Sequence, residues 1–213
     1  MNHSKTILLS LIVLLLGAPL FAQEAGSTEV TGEKKTALVN SIDKAHKQFS
    51  TLSANFTQEK TSTLFTDKVV QKGKMQYKAP KQLRWEYTSP KAMTVIFTNG
   101  KVLLKTEKGT TANPNKMLGE MGTMIINTIN GSFLKENTDF KTRFYKNKAG
   151  QVTAVLTPVN KKIKAYYKDI SIVLNSSTLL ADTVVLTETN GDVTKITFTD
   201  KKPNTTLSDS LFK

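Results

Sequence analysis

Two histidines, His3 and His46, scattered carboxylates and no cysteine are the whole stock of reactive side chains in this 213-residue sequence. Zinc sites, thiolate chemistry and histidine general-base catalysis therefore have almost no raw material. Asp67, Glu86 and Asp169 are available acids, but nothing in their spacing marks a paired acid and base. The pattern that does stand out is apolar. Met75 and Tyr77, then Leu83, Trp85 and Tyr87, then Met93, Val95 and Phe97 recur at a spacing of two, which in a strand puts them on one face. Lys74, Gln76, Arg84, Glu86 and Thr94 take the other face. A face so rich in aromatic and methionine side chains suits non-covalent holding of an apolar ligand. Five of the six methionines, Met75, Met93, Met117, Met121 and Met124, fall on this face or on a later helical stripe. Methionine repacks around irregular partners, which fits a ligand that is taken up and then released. The same stripes are also what an ordinary core requires, so the spacing alone leaves both readings open.

These residues need elements to carry them. Leu38, Ile42, Ala45, Phe49 and Leu52 recur at steps of four and three, predicting a helix over 33–52 with this stripe against a sheet. From Ser53 the period changes to two, with Ala54, Phe56 and Gln58 on one face. Strands then follow over 69–78, 82–88 and 92–97, separated by Pro80 and by Ser89-Pro90. Asn99-Gly100 marks a two-residue hairpin turn into a strand over 101–106, followed by a loop. Asn113-Pro114 opens a second helix over 115–130, whose stripe is Met117, Met121, Met124, Ile125 and Ile129. Gly119 and Gly122 lie inside it, and each glycine weakens a helix by about 1 kcal/mol relative to alanine. Strands return over 139–146, 151–157, 162–174, 179–188 and 192–199. About eleven strands in consecutive hairpins predict an α+β, mainly β fold. One strongly curved antiparallel sheet forms an incomplete barrel, with the two helices as a lid over its concave side.

Residues 7–16 are apolar apart from Ser10, with Lys5 before them and Gly17, Ala18, Pro19 and Ala22 after, the layout of a secretory signal cut after Ala22. The run is too short to remain as a membrane span. The reading is therefore a leader over 1–22, a mobile tail over 23–32 and a single domain over 33–213, exported to a compartment outside the cytoplasm. The formal charge is +13, of which the leader's Lys5 carries one, leaving +12. Such a surplus suits acidic partners. With export, anionic lipid headgroups or an acidic protein patch are favoured over nucleic acid. Without a cysteine, the chain cannot itself be lipid-modified at the end of its leader.

Asn55-Phe56-Thr57-Gln58, Gly73 opening a strand, Pro80, Leu83 and Trp85, Pro90, the Asn99-Gly100 turn, Leu156-Thr157-Pro158 and the stretch from Gly191 to Phe198 together resemble the periplasmic outer-membrane lipoprotein carriers of the LolA type. The resemblance covers nearly the whole chain after the leader. It implies an incomplete barrel with an apolar inner wall under a helical lid. It also implies a monomeric periplasmic shuttle without cofactor or covalent chemistry. Acylated lipoproteins would be its cargo, an inner-membrane lipoprotein-releasing transporter its donor, and an outer-membrane receptor a possible acceptor. On that reading Phe56, Met75, Tyr77, Leu83, Trp85, Tyr87, Met93, Val95, Phe97 and Leu156 line the cavity. Leu38, Ile42, Phe49, Met117, Met121, Met124, Ile125 and Ile129 belong to the lid. Leu83→Glu is then expected to disturb cargo handling more than folding. In one departure, Ala79 stands where well-known members have a lid-latching arginine before the proline. Arg84 cannot replace it, because it alternates onto the face opposite Leu83 and Trp85. A second class of function on the same half-barrel is a regulatory module that senses lipid or lipoprotein, which would need an extra domain for its signalling partner.

Overall fold

The computed structural model describes residues 26–64, 67–98, 100–113, 116–134 and 139–213. The expected leader, Asn99 of the expected turn and the expected Pro114-Asn115 helix start lie outside the described residues, as do the side chains of Met117 and Met121. The strands are β1 (Thr28–Glu29), β2 (Thr51–Thr61), β3 (Val69–Lys78), β4 (Gln82–Ser89), β5 (Met93–Thr98), β6 (Lys101–Thr106), β7 (Gly109–Ala112), β8 (Phe140–Lys146), β9 (Val152–Pro158), β10 (Tyr167–Leu174), β11 (Ala181–Glu188) and β12 (Val193–Pro203). Helix α1 spans Gly32–Lys47, α2 spans Lys116–Ile129, and a single turn, α3, spans Lys161–Lys164. All twelve strands form one antiparallel sheet in the order β1-β8-β9-β10-β11-β12-β2-β3-β4-β5-β6-β7. The sheet is curved but does not close, and β1 and β7 are its two edges.

Alternation decides the faces. Leu52, Ala54 and Phe56 of β2, Met75 and Tyr77 of β3, Leu83, Trp85 and Tyr87 of β4, and Val95 and Phe97 of β5 are buried on the concave side. There they join Ile170, Ile172 and Leu174 of β10 in one cluster. Gly73 sits opposite Phe56. A Cβ at Gly73 would lie 2.5 Å from the Phe56 ring and 2.0 Å from the Glu86 carbonyl oxygen, so glycine lets that ring lie flat across the strand. Opposite, on the convex side, the segment before Lys213 folds back over β4 and β5. Phe212 is buried there, Arg84 donates to the Leu211 carbonyl, and Lys78 pairs with Asp209 at 2.6 Å.

Four expectations change. The first helix ends at Lys47, not Leu52, because the far end of the chain captures its exit. Asn204 Oδ1 accepts from the Ser50 N–H, its Nδ2 donates to the Gln48 carbonyl, and the Thr51 hydroxyl donates to the Thr205 carbonyl. Phe49 is left in the connection and Leu52 lies in β2, one residue past its start. Thr28 and Glu29, expected in a mobile tail, pair with Lys146 and Tyr145 of β8. Residues 109–112, expected in a loop, form edge strand β7. Finally, the first residues of the expected strand over 162–174 form α3, because Asn160 Oδ1 accepts from the Lys162 N–H and caps a helical turn.

Candidate functional site

Between the concave face and α2 runs a cavity of about 990 Å³. Val184 and Leu186 of β11 and Ile196 and Phe198 of β12 form one wall. Leu52, Met75 and Phe97 stand on the other side, and Met124, Ile125, Ile126 and Ile129 of α2 form the roof. Exposed residues line it at both ends of the sheet, Lys81, Gly100 and Lys101 at one and Lys162 and Tyr166 at the other. A smaller hollow of about 50 Å³ adjoins it under α2, bounded by Trp85, Tyr87, Met93, Val95, Leu118 and Ile125.

Of the ten residues expected to line a cavity, Met75 and Phe97 face the large one, and Trp85, Tyr87, Met93 and Val95 with Phe97 face the small one. Phe56, Tyr77, Leu83 and Leu156 face neither and pack in the buried cluster. Phe56 stacks on Trp85 at 4.1 Å between ring centroids and meets Tyr87 edge-on at 5.4 Å. Tyr77 meets Phe49 edge-on and donates its hydroxyl proton to the Pro80 carbonyl. Leu83 has no exposed surface and borders neither hollow. Among the expected lid residues, Met124, Ile125 and Ile129 roof the cavity, whereas Ile42 is fully buried under α1, with Leu38 partly buried beside it. The wall residues Val184, Leu186, Ile196 and Phe198 were not singled out in the sequence, although they too recur at a spacing of two. They carry one aromatic among four, and so read as plain core strands.

Several polar side chains on the concave face pair with one another. Gln58 accepts from the Tyr87 hydroxyl and donates to Gln71. Lys60 bonds Glu188 at 2.9 Å and lies 3.5 Å from Asp192, and the Glu188 carboxylate, first among several causes, raises its pKa. Tyr167, near this pair, has its phenol pushed up chiefly by burial. The acids considered for catalysis lie elsewhere: Glu86 bonds Arg84 and Asp169 accepts from Thr187, both on the convex face, and Asp67 is exposed.

His46, the one histidine among the described residues, joins both helices. From α1 its Nδ1 lies 2.8 Å from the carbonyl of Ile129, the last residue of α2, and its Nε2 lies 3.2 Å from the carbonyl of Leu179 before β11. Gly131, with φ +73°, packs on the same ring. Carbonyls only accept, so a neutral imidazole serves one of the two at a time and a charged one serves both. Burial nevertheless lowers the pKa of His46, opposed by the Leu179 and Ile129 carbonyls and by Asp43. A folded-state pKa below the ordinary 6.5 contributes stability that is present above 6.5 and is lost as pH falls through the folded value. Unfolding midpoints in urea should therefore drop on acidification from pH 7 into that window, and His46→Gln should flatten the drop relative to the unaltered chain. Parallel curves for the two proteins would assign the slope to other groups.

The sequence over 47–213 matches the model of a protein family described as outer membrane lipoprotein carrier protein LolA. The chain belongs to the LolA family. No curated protein matches it significantly. Among solved structures, an uncharacterized conserved protein from Thermus thermophilus superposes on this LolA-family chain with a TM-score of 0.51 at 9% identity, covering 83% of this chain and 91% of that one. A LolA superfamily protein from Nitrosomonas europaea gives 0.46 at 9% identity over 84% and 97%. A putative outer membrane lipoprotein-sorting protein domain from Vibrio parahaemolyticus gives 0.48 at 10% over 82% and 94%. The first of these shares the fold. Among the described residues no helix is long and apolar enough to cross a membrane.

Proposed function

We propose that this LolA-family chain is a periplasmic carrier that holds the acyl chains of lipoproteins in its cavity and ferries them from the inner to the outer membrane, without covalent chemistry. The observation that carries the reading is the roofed apolar cavity of about 990 Å³. Exposing an acyl chain to water costs about 0.8 kcal/mol per methylene, so a carrier needs an enclosed apolar volume, which a flat patch does not supply. Met75, Phe97, Val184, Leu186, Ile196 and Phe198 are the wall that would meet the chains. Met124, Ile125 and Ile129 are the roof that would lift. His46, bridging α1 to the end of α2, takes the latching place that Ala79 leaves empty. A transporter in the inner membrane supplies the cargo, and an outer-membrane receptor or the outer leaflet itself receives it.

The test is release from membranes. Purified protein incubated with inner-membrane vesicles carrying a triacylated lipoprotein should bring that lipoprotein into the supernatant as a complex, and the same lipoprotein with its acylated cysteine replaced by serine should not be retained. Recovery of phospholipid or free fatty acid alone would make the protein a general lipid carrier and overturn the lipoprotein reading.

A further inference from the structure

The large apolar side chains that stand most exposed among the described residues are Leu64, Val69, Val70, Val159 and Tyr166, and the topology gathers all five at one end of the sheet. Val69 pairs with Lys60 at the start of β3, Leu64 lies in the preceding loop, and Val159 and Tyr166 flank α3 between β9 and β10. The loops at this end are tied together. Thr63 donates to the Asn190 carbonyl, and Thr189 donates to the Tyr166 carbonyl through its N–H and to the Ala165 carbonyl through its hydroxyl. The second feature is charge. Around α3 the sequence from Val159 to Lys168 sets Lys161, Lys162, Lys164 and Lys168, all exposed, between Val159, Ile163, Tyr166 and Tyr167. None of the four takes part in an ion pair among the described residues. The acids at this end are mostly engaged: Glu188 and Asp192 by Lys60, Glu59 by Lys68, and Asp139 by Asn160. Asp67, Glu107 and Glu120 are its exposed acids among the described residues.

We infer that this rim is a docking surface for an anionic lipid bilayer. Interleaved lysine, tyrosine and aliphatic side chains have the chemistry of an interfacial anchor. Tyrosine seats at headgroup level, aliphatic groups enter the acyl boundary, and each lysine near an anionic surface adds about 1 kcal/mol. The rim is continuous with the cavity, because Lys162, Ile163 and Tyr166 also line it. Docked, the molecule turns this end of the cavity to the membrane, so an apolar chain passes between bilayer and cavity without crossing water. The docking stands on the rim alone; its use in transfer rests on the carrier reading.

Sedimentation with vesicles, without any lipoprotein present, tests the docking separately from cargo release. The protein should sediment with vesicles of phosphatidylcholine containing phosphatidylglycerol and stay in the supernatant with phosphatidylcholine alone, and salt should weaken the binding. About 1 kcal/mol per lysine corresponds to roughly a fivefold loss each. Combining Lys161→Gln, Lys162→Gln, Lys164→Gln and Lys168→Gln should thus weaken binding on the order of several hundredfold. A control of equal charge, Lys34→Gln, Lys44→Gln, Lys72→Gln and Lys74→Gln, should retain it within a few fold. Absence of binding to the anionic vesicles, equal binding to both vesicle types, or equal loss in the rim variant and the control would each overturn the assignment.

Discussion

Leu186→Glu should leave the protein folded and abolish acyl-chain capture, while Leu83→Glu should prevent folding. Both leucines are buried on the concave face, at 6% and 0% exposure, so burial alone does not separate them. What separates them is the cavity. Leu186 lines it, and its cross-strand neighbour Thr194 is paired in turn with Lys60. A carboxylate at 186 can turn into the open volume, on the same face as that ammonium. Leu83 is packed between Tyr77 of β3 and Phe97 of β5 and has no such space. A charge there is desolvated without a partner, at a cost of about 4 kcal/mol or more, much of the stability of an ordinary domain. For Leu186→Glu the cost falls on loading. An incoming chain must strip water from the carboxylate, about 3 kcal/mol or more, which is at least about a hundredfold in affinity. Urea denaturation and binding of a fluorescent fatty acid, measured on both variants, separate the two. Retained binding by folded Leu186→Glu would place the ligand elsewhere.

That contrast also shows where reading the sequence stops. Period two placed Met75, Leu83, Trp85 and Phe97 on one face, and the strands carry them there. Periodicity reports a face, however, not whether the space in front of it is filled. Phe56 lies over Gly73 and stacks on Trp85, filling the hollow in front of β3 and β4, while the thinner side chains of β11 and β12 leave room. The volume therefore sits beside the aromatic wall, against residues whose composition draws less notice. The elements missed share a cause as well. Strands β1 and β7 are two and four residues long and exist because a neighbour offers its edge, which no local pattern records. The end of α1 is set by Asn204, more than 150 residues away in the chain. Local signals sufficed where the partner strand was next in sequence, as in β3 to β6.

Alanine at the two glycines of α2 should act in opposite directions, although both sit in one helix and lose the same backbone freedom. At Gly119 the nearest atom to an added Cβ is Val102 Cγ2 at 3.8 Å, an ordinary contact, so Gly119→Ala should strengthen the helix by about 1 kcal/mol. At Gly122 the Cβ would fall 1.9 Å from Cε1 of Phe97. The helix lies directly on that ring, and only glycine permits the approach. Overpacking of this kind costs about 1–3 kcal/mol, which outweighs or cancels the gain in helix propensity and is relieved by lifting α2 or turning Phe97 into the cavity. Amide hydrogen exchange over α2 should slow in Gly119→Ala and quicken in Gly122→Ala. Release of a bound fluorescent fatty acid should follow the same order, slower in the first and faster in the second by up to about tenfold per 1.4 kcal/mol. If both substitutions slowed release, glycine would matter in this lid only as a weak helix former. Opposed effects would instead make the seat of α2 on Phe97 the contact that sets how readily the roof opens.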